Sequence, residues 1–192
     1  MPQPNQAALD FLLSRRSRPA KTLQAPAPDR AALDPILTAG LRSPDHGKLE
    51  PWRLIVLDRA ALDRLAGLAE TRGAALGLDP DQVEKTRATY ADSPLAVVVV
   101  AAPVASEKVP EIEQLYSAGA VCLSLLNAAL AAGWGANWLS GWASHDRSFV
   151  EQGLALAPQE SVAGIIHIGT ERAAPPDRPR PDQGAKVTWM DR

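Results

Sequence analysis

Residues 95–102, LAVVVVAA, constrain the fold more than any other stretch of the chain. Two heavy atoms on each valine Cβ stiffen χ1 and suit the residue to a pleated surface, so the run reads as a strand. It shows no alternation with polar residues. A strand of that kind is covered on both faces, which predicts a central position with a layer on either side. Residues 111–133, EIEQLYSAGAVCLSLLNAALAAG, are apolar almost all round. They predict a helix at the heart of the fold or at a subunit interface, ended by Gly133. Segments 59–76 and 80–91 predict helices with one polar face.

Elsewhere Ala8, Leu9, Leu12 and Leu13 recur at helical spacing over residues 5–14, and Pro19 stops any continuation. Asp29 is placed to cap a helix over 30–41, with Pro35 as a candidate kink. WRLIVLD (52–58), WGANWLS (134–140) and VAGIIHIGT (162–170) read as strands, and 146–156 as a helix. No repeat or linker divides the 192 residues, so one domain over 1–192 is predicted, with an extended proline-rich tail from 171. The tail's closing β-prone run, KVTWMDR, suits docking on a second subunit. Strands and helices mix without strict alternation. The expected class is α+β, a mixed central β-sheet flanked by helices.

Composition narrows the function. A formal net charge of −2 is no footprint for nucleic acid. The one cysteine, Cys122, excludes an intrachain disulfide and favours a cytoplasmic address. No signal peptide is recognised at the start of the chain, and no uninterrupted apolar run approaches the ~20 residues of a membrane span. GxGxxG and GxxxxGK[ST] are both missing, and His46, His145 and His167 lie too far apart for metal-ligand spacing. No GxSxG supports a serine nucleophile. The chain lacks the usual marks of a protein that does chemistry with its own side chains.

Four motifs remain. Arg15, Arg16, Ser17 and Arg18 (RRSR) close the first helix; they suit either a solvated helix end or a phosphate site, since guanidinium forks match phosphate oxygens. Residues 41–58, LRSPDHGKLEPWRLIVLD, place His46 on a turn, with or without a role. AAGWGANWLSGW (131–142) sets three tryptophans among glycines, a composition for a core or for walls around a flat ligand. PPDRPRP (175–181) carries Arg178 and Arg180 on a stiffened segment.

In their order along the chain, from about residue 9 to the tail, these motifs resemble the nitroreductase family: RRSR, then SPDHxxxxPW before a strand, GxGxxWxS after an apolar helix, and a last strand ending in glycine. The small, minimal branch of the family is the most similar. The resemblance implies a homodimer with one FMN in each of two interface sites and the C-terminal tail exchanged between subunits. By position, Arg15, Arg16 and Ser17 would bind the FMN phosphate, ribityl chain and pyrimidine edge. Arg42 and His46 would reach the flavin from the other subunit. Trp138, Leu139 and Ser140 would lie along the isoalloxazine, and Arg178 and Arg180 match a basic pair that contacts the phosphate. His46 is then a cofactor contact rather than a general base, and no catalytic side chain is expected, because flavin carries the hydride chemistry. The implied activity is ping-pong reduction, by NADH or NADPH through FMN, of a small-molecule acceptor such as a nitroaromatic or quinone. No nucleic acid or membrane partner is implied. A non-catalytic flavin-binding or sensing protein on the same scaffold is the alternative. Glu50 departs from the family, where glutamine often precedes the Pro-Trp pair, and a carboxylate lacks the amide's donor.

Overall fold

In the computed structural model, which describes residues 3–190, the valine run becomes strand β3, Leu95–Ala101, with every residue buried. It lies between β2 (Trp52–Leu57) and β5 (Ser161–Glu171) in the order β1-β5-β3-β2, with β4 (Gly135–Leu139) also on β5 and β1 (Leu23–Gln24) short. Alternate side chains of β3 enter two cores. Ala96, Val98 and Val100 pack with Leu62, Leu65 and Phe149, while Val97 and Val99 pack with Leu33, Ile36 and Leu125. Full burial of each such aliphatic side chain is worth about 1.5–3 kcal/mol.

The α+β class stands, but every described pairing is antiparallel, where a mixed sheet was expected. The connection between β2 and β3 explains one pair. Two helices, α3 (Arg59–Ala75) and α4 (Pro80–Ala91), carry the chain out and back, so β3 starts at the end where β2 stopped, with Leu57 opposite Ala96. A single helix would have delivered it to the other end and made the pair parallel.

Helix α1 spans Gln6–Ser14 and α2 spans Arg30–Gly40; the latter is capped by Asp29, whose side chain accepts from the Ala32 amide, and runs on through Pro35. The helix expected over 146–156 is α7 (Arg147–Leu154), and a short helix not expected from the sequence, α6 (Trp142–His145), precedes it. Asp146 ends the first and caps the second by accepting from the Phe149 amide, a cap of about 1 kcal/mol. Arg72 grips the same carboxylate through two nitrogens at 2.9 and 3.0 Å, tying α3 to this corner.

Helix α5, Glu111–Ala131, is long and apolar enough by length and hydropathy to cross a membrane, although its apolar run is interrupted by polar residues. It serves as a core helix: Val121, Leu125 and Ala129 are buried, and Leu125 lies so close to Gly40 of α2 that no Cβ would fit there. Burial pushes the Cys122 thiol up to about 12. On its other side Ile112, Leu115, Tyr116 and Leu123 are exposed. The tail from 172 to 190 contains no helix or strand and is largely exposed, including Val187, Trp189 and Met190.

Candidate functional site

The segment that follows α1 runs beside β4. The Arg18 amide donates to the Ala136 carbonyl at 2.8 Å, and Asn137 Nδ2 donates to the Arg18 carbonyl at 2.8 Å. Arg15, Arg16, Ser17 and Arg18 are thereby held half-buried instead of solvated. Arg15 Nη2 donates to Ser17 Oγ at 3.1 Å. Arg18 Nε sits 2.7 Å from Glu171 Oε2, close enough for an ion pair but not aligned as a hydrogen bond. Arg15 Nε and Arg16 Nη1 are buried with no acceptor among the described residues. Burial first, then the cations of Arg180 and Arg18, lower the Arg15 pKa from its ordinary value. Like charges gathered around unpaired donors are unfavourable unless an anion completes them. A phosphate group has the acceptors and the charge to do so.

Three cavities follow one another along β4. The first, about 340 Å³, lies between Ser14, Arg15, Arg16, Arg18 and Trp134 and touches Gly135. The second, about 370 Å³, is lined by Pro19, Asn137 and Leu139 on one side and by Lys85, Ala88 and Thr89 of α4 on the other. The third, about 300 Å³, shares Leu139, Lys85 and Thr89 and continues past Ser140 to Trp142 and His167. Pleating explains the division: Asn137 and Leu139 stand opposite His167 and Ile165 on the α4 side. Trp138, on the other side, lies over Gly164, where any Cβ would collide with the indole. The first cavity forms a cationic trough that meets α5 at Leu130 and is also lined by Glu171; the second and third, joined through Leu139, Lys85 and Thr89, lie on the α4 side and share no lining residue with it.

The tail returns to this trough. Arg180 Nη2 lies 3.4 Å from the Arg15 carbonyl and 3.3 Å from Asp177 Oδ1. Arg178 is exposed and bonds to Asp177 Oδ1 only through its backbone amide.

Arg42 and His46 lie elsewhere. Ser117 Oγ accepts from Trp52 Nε1 at 3.0 Å and donates to the Pro44 carbonyl at 2.8 Å, which fastens the loop to α5 and gives the Pro-Trp pair its purpose. Glu50, at φ +47, donates its backbone amide to Asp45 Oδ2 and leaves its side chain exposed. His46 Nδ1 pairs with Glu113 Oε2 at 2.7 Å in the first turn of α5, both side chains about half exposed. Arg42 is exposed just past the end of α2. The RRSR cavity meets α5 at Leu130. Seventeen helical residues separate Glu113 from Leu130, roughly 25 Å at 1.5 Å per residue. The structure therefore places Arg15 and Arg16 at the cationic cavity, with Ser17 and Arg180 bonded at Arg15, and Leu139 and Ser140 at the α4-side cavities, and it leaves Arg42, His46 and Arg178 outside them.

Five residues that line or frame these cavities carried no role in the sequence reading: Arg18, Pro19, Lys85, Thr89 and Asn137. Arg18 stood inside a motif already singled out. Lys85 sits in a polar helix with nothing to distinguish it, and only packing brings it to Leu139.

Residues 12–170 match the model of the Nitroreductase family. A protein of Escherichia coli (strain K12) named "Putative NAD(P)H nitroreductase YdjA" is 35% identical over 163 residues, covering 85% of this chain and 87% of the relative. Two solved structures share the fold. A nitroreductase-like family protein from Bacillus cereus superposes with a TM-score of 0.79 at 21% identity, covering 100% of this chain and 99% of its own. A nitroreductase with bound FMN from Bacteroides fragilis superposes with a TM-score of 0.74 at 18% identity, covering 98% and 100%.

Proposed function

Because the chain belongs to the nitroreductase family, we propose that it is an FMN-dependent NAD(P)H oxidoreductase whose two sites form between the subunits of a homodimer. The observation that carries the reading is the pair of buried guanidinium donors, Arg15 Nε and Arg16 Nη1, with no acceptor beside a trough of the right size. These donors, with Ser17, hold the phosphate, and Arg180 and Arg178 close over it from the tail. Leu139 and Ser140 lie along the ring system, and Pro19 and Asn137 extend that wall, while Trp138, expected beside them, faces the other side of β4 over Gly164. Lys85 brings positive charge to the same stretch, where it favours an anionic reduced state in a partly dry site. Bound FMN supplies hydride exchange in a ping-pong cycle, from NADH or NADPH to a nitroaromatic, quinone or similar acceptor.

Two observations support the dimer. His46 and the RRSR trough stand too far apart along α5 to meet one ligand in a single chain. Between them α5 exposes Leu115, Tyr116 and Leu123, with Ile112 just before Glu113, an apolar face suited to a second copy. In the dimer, His46 and Arg42 of one subunit complete the other's trough, while the tail, expected to exchange between subunits, lies with Arg180 against the Arg15 carbonyl of its own chain.

The test is a visible absorption spectrum of the purified protein, taken anaerobically before and after NADPH and then NADH. A flavin spectrum that bleaches supports the enzyme and shows which nucleotide it prefers. A flavin spectrum that persists supports the sensing alternative, and a colourless protein that takes up no added FMN overturns the cofactor assignment.

A further inference from the structure

Where this chain uses an arginine–carboxylate pair to tie distant elements together, both oxygens are held. Arg53 meets the two oxygens of Glu160 at 2.6 and 2.8 Å, and Arg72 those of Asp146 at 2.9 and 3.0 Å. Forked contacts of this kind fix a geometry as well as a charge. The Arg18–Glu171 pair is built otherwise. One nitrogen, Nε, approaches one oxygen, Oε2, at 2.7 Å, and that oxygen is buried without a hydrogen-bond partner among the described residues. Both residues line the cationic cavity, together with Arg15 and Arg16. Their backbones are fixed there. Arg18 is tied through its amide and carbonyl to Ala136 and Asn137 of β4. Glu171 ends β5 opposite Leu23, with its Cβ 3.3 Å from where a Cβ on Gly135 would stand.

A carboxylate in a cavity for an anion repels the occupant and competes with it for the same cation. Against that, it offsets part of the repulsion among the guanidinium groups gathered there. We infer that Glu171 is an internal counter-ion, held on Arg18 by a single unforked contact that the ligand's anion replaces, and that it thereby lowers the affinity of the cavity for its ligand. Glutamine at this position would keep the shape and remove both the repulsion and the competition. That the anion is the phosphate of FMN rests on the flavin reading above; the competition itself does not.

The experiment compares wild type with Glu171→Gln. Release of FMN from the loaded proteins is followed on dilution by the return of free-flavin fluorescence, which gives the dissociation constant of each. Riboflavin, which has the same ring system without the phosphate, is titrated into flavin-free protein of both kinds. The variant should hold FMN roughly three- to tenfold more tightly and bind riboflavin as wild type does. Unchanged or weaker binding of FMN by the variant overturns the inference. An equal gain for riboflavin also overturns it, because the change would then act on the fold and not on the phosphate. If neither protein takes up FMN, the flavin reading fails, and inorganic phosphate titrated into both by calorimetry decides the inference. Tighter phosphate binding by Glu171→Gln sustains it; equal binding, or none, overturns it.

Discussion

The two ends of α5 pose opposite problems. Near Leu130 the chain has gathered Arg15, Arg16, Arg18 and Arg180 around buried donors without acceptors, an arrangement completed only by an anion. Near Glu113 every notable group is already paired, with His46 on Glu113 and Trp52 on Ser117, yet the surface is open. The first end is a prepared cavity lacking a ligand. The second is a presenting surface whose His46 and Trp52 are already held by partners. Ion pairs as exposed as His46–Glu113 contribute little to stability, so this pair orients a side chain more than it holds the fold.

Breaking the trough end should have the largest effect. Arg15→Ala with Ser17→Ala removes charge-assisted contacts worth about 1.5–3 kcal/mol each, so FMN affinity should fall roughly 10²- to 10⁴-fold and the protein should purify without flavin. Wild-type occupancy in the double variant would show that the phosphate lies elsewhere. Separating the two ends comes next. Leu123→Arg places a charge on the exposed face of α5 and should yield monomers in analytical ultracentrifugation, with FMN affinity falling alongside. A monomer with undiminished flavin would disprove the shared site.

Acid acts on the α4-side cavity through its buried histidine. His167 is buried neutral, with its pKa lowered from 6.5 to about 4. Between those values the unfolded chain binds the proton and the folded chain does not, so stability falls as pH drops from about 6.5 to about 4, by roughly 3 kcal/mol in all. Melting temperature against pH should show the decline, and a His167→Leu variant that still folds should flatten it. The smallest change is at the loop. His46→Ala should weaken FMN binding about tenfold with the melting temperature of the flavin-free protein unchanged. A drop in that melting temperature would instead make His46 a structural residue.

Much of the fold could be read from local pattern. The unbroken Val97–Val100 run could only be a covered strand, and Asp29 announced α2 by its capping position. Strand direction could not be read, because it depends on whether one helix or two return the chain. The start of α7 at Asp146 was legible, but the one-turn α6 before it was not, since its corner is held by Arg72, 74 positions away. At the site, the arginines were visible as a cluster of charge. That Arg15 and Arg16 lack acceptors was not visible, since orphaned donors are a property of packing. Lys85 and the Glu113 partner of His46 were equally hidden, being joined to the site only across the folded chain.

The length of α5 between the two half-sites has a genetic consequence. If each pocket takes its phosphate end from one subunit and its His46 end from the other, two differently damaged alleles should complement. A mixed dimer of Arg15→Ala and His46→Ala subunits would contain one doubly damaged pocket and one wholly intact. Cells expressing both variants would regain about half the activity per mixed dimer, and a pocket built within one chain could not show this rescue.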